Sequence, residues 1–545
     1  MKRIVPLVSV SLLVIAATAC KQDLTVENLG NPDVARVFAS GPSIEATIAS
    51  GYQTVHNATS NQNLWPEALM HALEQYSSLN NFNMGVRVAI PRAPIVNSNG
   101  SPSVFNEFSS LSRESRLAVE ALDALNAYLK VPGQTLGSPA QDLRARAFGW
   151  FGAATSLGWL GMIYDSAAVV GLGMPSDSIP PLSSAADVVK VAIAYLDSAY
   201  AYANNPAATG TNGFPLPPTW MSTTNGMTAD DFVRLVRSYR ARFRAGVART
   251  PAQRAAVDWA KIIDDTENGI LADYMSNVGG TTGWSIGDLS QIYVDPGWGQ
   301  ISLMYFGMGD VSGGYATFIA TPLATRSGYF LVQTPDNRWP AGGTRADQQK
   351  ASAQPSSAAS KPYISNRSVA DIPGDGWGVS YYDFFRFKYM RNAKNIGLYP
   401  DFMKTENDLL AAEGYLRTGN IAKAAAKIDL TRVPAGLPAL SGAITSASDP
   451  VPGGAQCVPQ VPQPPSFNTV ACGTILEAMK YEKRMETALT SFGRWWIDSR
   501  GWGDLIQNTV LEYPVPYQEM QARQKSSYNL GGGSGSSAAK GTYGF

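Results

Sequence analysis

Histidine is almost missing from this chain: His56 and His71 are the only two in 545 residues. That scarcity removes most schemes in which imidazole acts as general base or metal ligand, and no His–Glu zinc motif or cysteine cluster occurs. An excess of either charge is missing too. The 43 Lys and Arg equal the 43 Asp and Glu, and charged residues make up 16% of the chain. No net field therefore recruits nucleic acid or an anionic membrane. Cysteine is sparse, with three residues in all. Setting aside Cys20 near the start leaves Cys457 and Cys472, an even pair around a Pro- and Gln-rich segment. In an oxidising compartment that pair is expected to form a structural disulfide.

What is present begins at the N-terminus. Lys2 and Arg3 precede an apolar run from Ile4 to Ala17, followed by Ala17-Thr18-Ala19-Cys20. This is the pattern of a signal peptide over residues 1–19, too short to span a bilayer comfortably. Small residues directly before Cys20 match a bacterial lipobox, in which Cys20 carries the lipid and residues 20–32 form a tether. Ordinary cleavage with a free Cys20 thiol is the alternative.

Along the remainder, 33–545, apolar periodicity predicts helices. One follows Asp33 or Ser43, and another starts at Pro66. The span 107–130 carries Leu111, Ala118, Leu122, Leu125 and Leu129 on one face. Residues 147–164 hold no charge, which suits a membrane span, but four glycines and the continuing face of DLRARA favour a buried helix. Further helices are expected at 183–203, 228–248 and 251–264, completing an N-terminal helical part over 33–275. From 276 to 400 Gly, Pro and Ser interrupt aromatic-rich runs, so this part reads as loops with a few short strands. Helical order returns over 401–440, where AAEGYLRTGN and an Ala-rich second helix follow tetratricopeptide grammar. It resumes over 474–520 after an insertion at 441–473. The Gly/Ser-rich end, 531–545, is expected to be flexible and to pack little.

The stretch 475–505 raises the question of chemistry. Ile475, Met479, Met485, Leu489 and Phe492 form an apolar stripe, and Glu482 falls on it. A carboxylate there must be paired or neutralised. Arg484, Arg494, Asp498 and Arg500 crowd the same segment, so it is either an acid–base site or a lattice of buried ion pairs. Gly283-Trp284-Ser285-Ile286-Gly287 matches a nucleophile elbow, but both histidines precede Ser285, contrary to the chain order of that fold. Arginines around Glu482 and Asp498 would depress their pKa values and spoil a general acid. The lattice is the favoured reading, with Glu482 and Asp498 expected to pair with Arg484, Arg494 or Arg500.

AAEGYLRTGN with TRVPAGLP, then YEKRMETAL, GRWWIDSRGWGDL and EYPVPYQEM, in that order, resemble the signatures of the SusD/RagB family of outer-membrane nutrient-binding lipoproteins. The chain departs from the family pattern at Lys483, Ser499 and Gly501. The resemblance implies an all-α-dominated scaffold of tetratricopeptide-like helical pairs with long loops. It further implies an outer-membrane lipoprotein facing the exterior, without cofactor or metal. Such a protein binds an oligosaccharide or peptide nutrient without turning it over, and partners a SusC-like TonB-dependent transporter. A tetratricopeptide-type adaptor for a protein partner and a glycan-active hydrolase are the competing classes.

Sugar recognition needs aromatic platforms beside amide, carboxylate and guanidinium groups. Two loop groups have that composition. One comprises Trp65, Tyr76, Asn80, Asn81, Phe82 and Arg87. The other comprises Trp284, Trp298, Trp377, Tyr381 and Tyr382. Packing of these rings into the loop core is the competing account for each residue.

Overall fold

The computed structural model describes residues 37–60, 64–100, 104–209, 214–287, 294, 297–368 and 377–545. The signal segment, Cys20 and the tether lie outside them. Among the described residues, these helices form the frame: α1 (Gly41–Ser60), α2 (Leu64–His71), α3 (Met84–Val88), α4 (Phe105–Lys130), α5 (Pro139–Ile163), α6 (Ala185–Ala203), α7 (Ala229–Gly246), α8 (Pro251–Ala255), α9 (Trp259–Glu267), α10 (Lys404–Arg417), α11 (Ile421–Arg432), α12 (Ile475–Thr487) and α13 (Arg494–Trp502).

Local chemistry sets several helix starts. Ser138 accepts the Gln141 N–H ahead of α5, with Pro139 at its first position, and Thr228 accepts the Asp231 N–H ahead of α7. The single helix expected over 251–264 is divided in two. Thr250 caps α8 through the Gln253 N–H, and Asp258 then caps a second start through the Lys261 N–H. The helix expected from Pro66 toward Tyr76 stops early, because Leu73 adopts a left-handed φ of 53°.

α5 is the central helix, and its composition is explained by its neighbours. A Cβ at Gly158 would lie 2.2 Å from the Phe243 ring of α7, and one at Gly161 2.7 Å from Val189 of α6. At Gly149 it would lie 2.8 Å from Leu122 of α4. The glycines let three helices approach one buried rod, and the apolar run is core. Among the described residues no helix is long and apolar enough to cross a membrane.

The fold class is the expected one, dominated by helical pairs. α10 and α11 form the tetratricopeptide-like pair, with Asn420 accepting the Lys423 N–H at the second start. The described strands make four two-stranded antiparallel sheets. In one, Tyr274–Val278 pairs with Gly397–Phe402; in another, Ile364–Asn366 pairs with Tyr382–Phe384. The first ribbon joins the two ends of the loop-rich part beside the helices, and the second lies within that part.

The end of the chain does not behave as its composition suggests. Ala538 and Tyr543 are buried, Ser537 bridges to Val510, and the Tyr543 hydroxyl donates to Glu477. Glycines with positive φ at 531, 532, 533 and 535 fold this segment back onto the core rather than leaving it free. Cys457 and Cys472 form a disulfide closing the hairpin of the 441–473 insertion, with a sequence separation of 15. Opening a loop of that length costs about 3 kcal/mol on the chain-entropy account. Replacing both cysteines by serine should therefore lower urea-unfolding stability by that order, and an unchanged midpoint would contradict it.

Candidate functional site

The buried carboxylates of the C-terminal part are held in ion pairs. Glu482 is fully buried, but its partners are not those expected from the local sequence. It meets Arg338 at 2.8 Å and Arg432 at 3.9 Å. Asp498 pairs with Arg254 at 3.2 Å and Lys483 at 2.9 Å. Arg484 takes Asp504 at 2.6 Å, and Arg494 takes Glu406 at 3.2 Å. Arg500 donates to the carbonyls of Leu511, Met162 and Gly246 at 2.7–2.8 Å, joining three segments through their backbones. Burial alone would raise the Glu406 and Glu413 carboxyls. Arg242 overcomes it for Glu406 and Arg254 for Glu413, bringing each down to about 2. Carboxylates so held are poor general acids at neutral pH.

The elbow-like segment also resolves. His56 Nδ1 meets Asp401 at 2.9 Å, but its Nε2 faces the Ser285 backbone carbonyl at 3.1 Å rather than the hydroxyl. The Ser285 hydroxyl instead accepts the Gly287 N–H. Serine, histidine and aspartate thus lie close together, although the histidine comes first in the chain. Among the described residues, no base is aimed at the hydroxyl. Trp284 is buried between His56 and Tyr52, with ring centres 4.8 and 5.9 Å away. It belongs to the core and not to a ligand surface.

Two further candidates are corrected in the same way. Trp65 is 1% exposed on α2, a helix whose eight residues are all buried. Arg87 donates to Glu67 at 2.6 Å beneath the 76–84 loop, and Asn83 donates to the same carboxylate at 2.7 Å. These residues hold the loop from below.

The remaining candidates come together from both groups. The backbone of Tyr76 exchanges two hydrogen bonds with Gln300, and the Ser77 hydroxyl donates to the Trp298 carbonyl at 2.6 Å. This stitch brings Phe82 within 6.3 Å of Trp298, centre to centre. Tyr76 meets Trp377 edge-on at 5.4 Å. The approach needs glycine at 378, where a Cβ would sit 1.8 Å from the Tyr76 ring. Phe82, Trp298 and Trp377 are half-buried, while Asn80 and Asn81 are exposed beside them. Phe82 and Asn83 adopt left-handed φ values of 50° and 57°. Such conformations cost on the order of 1–3 kcal/mol in bulky residues and cluster at ligand surfaces.

Tyr381, four residues after Trp377, extends the surface. Its ring lies 5.0 Å from Tyr329 and under the Arg345 guanidinium at 4.0 Å. Arg345 is fixed by the Asn366 side chain and the Arg367 carbonyl. Tyr382, by contrast, is buried, with its hydroxyl on Gln348 at 2.6 Å. Gln300, Tyr329 and Arg345 were not singled out from the sequence. Only their loop setting among aromatics could have suggested them. The arrangement presents ring faces flanked by amides and one cation, which suits a saccharide's apolar faces and hydroxyls. A cavity of about 630 Å3 lies elsewhere, around Val189, Val247 and Arg249. No aromatic ring is among its described lining residues, so it offers a sugar no platform.

No family model and no curated protein matches the sequence. Solved structures do match the fold. A SusD superfamily protein from Bacteroides vulgatus shares 13% identity over 86% of this chain and 89% of its own, with a TM-score of 0.52. One from Bacteroides fragilis shares 14% identity over 89% of this chain and 98% of its own, with a TM-score of 0.50. The architecture is thus a helical, tetratricopeptide-like scaffold bearing long loops. More particularly, it is the fold of the SusD-like proteins.

Proposed function

We propose that this chain is a nutrient-binding lipoprotein of the outer-membrane surface. It captures an oligosaccharide on the aromatic surface of Phe82, Trp298, Trp377 and Tyr381. It passes that ligand to a SusC-like TonB-dependent transporter without chemical turnover, anchored through a lipid on Cys20. The observation that carries this reading is the convergence of two sequence-distant loops into one half-exposed aromatic face with Asn80 and Asn81 at its edge. Scaffold packing alone would draw these rings inward, as it does Trp65 and Trp284.

Retention of the mature chain on immobilised neutral polysaccharides, followed by titration with oligosaccharides from the retained one, tests the reading. Changing Trp298 and Trp377 together to Ala should weaken binding at least tenfold, since each stacked ring contributes about 0.5–1.5 kcal/mol beyond its area. Equal affinity of parent and variant would refute the site. Release of shortened glycan by pure protein would refute the non-enzymatic part. Co-purification with an outer-membrane transporter from the native host checks the partner.

A further inference from the structure

Arg345 stands at the Tyr381 end of the aromatic surface, and its position is built up from the core. Thr344 starts the short helix Arg345–Lys350 by accepting the Asp347 N–H at 3.2 Å. Gln348 of that helix is buried, and its amide oxygen accepts the Tyr382 hydroxyl at 2.6 Å and the Asn366 amide at 2.9 Å. With its nitrogen so engaged, Asn366 turns its oxygen to Arg345 Nε at 3.2 Å. The Arg367 carbonyl accepts Arg345 Nη2 at 2.7 Å, and the Tyr381 ring lies 4.0 Å beneath the guanidinium. The cation is held in one plane by the protein alone.

These bonds occupy one edge of the guanidinium. Nε and the adjacent N–H of Nη2 form its side. Nη1 and the second N–H of Nη2 form its end, an edge that can grip a carboxylate through two parallel hydrogen bonds. Nη1 donates to no group among the described residues, and Arg345 is only half-buried, so the end edge stays open to a ligand. No carboxylate among the described residues lies within ion-pair distance of it. Asp347 accepts the Thr344 hydroxyl at 2.6 Å, and Asp383 meets Arg367 at 3.1 Å. Arg367 also donates to the Gln300 side chain at 2.6 Å, and the Gln300 backbone bridges Tyr76. Arg345 is thereby tied into the face that carries Trp298 and Trp377. From Trp377 to Tyr381 the chain spans at most about 14 Å, so one oligosaccharide can reach both.

We propose that the captured oligosaccharide includes a uronic acid, with sugar faces on Trp298 and Trp377 and the uronate carboxylate on the open edge of Arg345. This rests on the aromatic surface being the ligand site and narrows its ligand to a chemical class. A neutral sugar offers the fixed cation single hydroxyls. A carboxylate matches two of its N–H groups at once and brings the opposite charge.

Titration of the full mature chain with oligogalacturonate, oligoglucuronate and oligomannuronate, each beside its own methyl ester, separates charge from sugar shape. At least one acid should bind about tenfold or more tightly than its ester, and added salt should narrow that gap. Arg345→Gln should abolish the preference and leave the ester's affinity unchanged, which loss of a residue that merely holds Tyr381 would not do. The Trp298/Trp377 double variant should weaken acid and ester alike. Equal binding of every acid and its ester by the parent chain overturns the proposal, as does loss of acid and ester together in Arg345→Gln. Tighter binding of a sulfated tetrasaccharide or of tetraglutamate overturns the assignment to a uronate. If acids and esters bind equally and still depend on Trp298 and Trp377, the charge selection falls and the aromatic site stands. If neither these sugars nor any neutral oligosaccharide binds, both fall.

Discussion

Arg338→Met should destabilise the chain by about 3–5 kcal/mol, the range found when one member of a buried charge network is removed. Arg338 is fully buried and meets three carboxylates, Asp336 at 2.7 Å, Glu482 at 2.8 Å and Glu486 at 3.1 Å. Burial holds the Glu482 carboxyl above its ordinary value, with Arg338 the strongest force opposing that rise without cancelling it, so the depression expected from nearby arginines does not occur there. Without the guanidinium, Asp336 retains the Tyr481 hydroxyl, Glu486 retains Arg386 at 3.2 Å, and Glu482 retains Thr431 and a distant Arg432. Those contacts do not neutralise three carboxylates out of water. Some must take up protons or the region must open, so the loss should grow as pH rises above the carboxylate range. Adding Glu482→Gln should recover part of the loss, because it removes one orphaned charge. Urea unfolding of parent, single and double variants at pH 7 measures both effects. A single variant within 1 kcal/mol of the parent would show that the network is not needed for folding.

That network also shows which part of the molecule could be read from the sequence. Glu482 on an apolar helix stripe announced a buried carboxylate, because helical periodicity is local. Its partner did not announce itself, for Arg338 lies 144 residues upstream in a loop. Likewise Arg254 reaches Asp498 across 244 residues and Arg242 reaches Glu406 across 164. Spacing along one helix cannot specify contacts made between elements, and the nearby arginines were already committed elsewhere. The helices themselves, and the α10–α11 pair, were legible from faces and caps.

The aromatic surface was legible in composition and not in sorting. Trp65 and Trp298 are equally aromatic and equally close to loops. What separates them is that α2 is covered on all sides, while the Tyr76–Gln300 bridge leaves Trp298 at the rim. Likewise, Gly/Ser content forecast a free C-terminal end. The same glycines supply the left-handed turns that return Tyr543 to the core.

Two buried carboxyls without strong cationic partners among the described residues give the other large expectation: stability should fall as pH rises from 5 to 8, and Glu74→Gln and Glu114→Gln should each flatten that fall. Burial pushes both carboxyls up to about 8 from an ordinary 4.5. Glu74 accepts the Leu489 N–H at 2.7 Å with one oxygen, and its other oxygen has no hydrogen-bond partner among the described residues. The folded chain therefore keeps these protons through a range in which the unfolded chain has released them. Stability from each is fully present below about 4.5 and is lost as pH climbs toward 8, on the order of 3 kcal/mol per group. Glu406 and Glu413 have the opposite sign. Their depressed folded values contribute stability above 4.5 that is lost as pH falls toward 2. His71, buried and held well below its ordinary 6.5 first by desolvation and then by Arg87 and Arg92, also withdraws stability as pH drops through that value. These acid-side contributions are common to parent and variants and cancel in their difference. Urea unfolding of parent and Glu114→Gln at pH 5 and pH 8 isolates the carboxyl. The variant's advantage should be on the order of 3 kcal/mol larger at pH 8. A difference that does not change with pH would mean that Glu114 is ionised in the folded chain and has found a compensating partner.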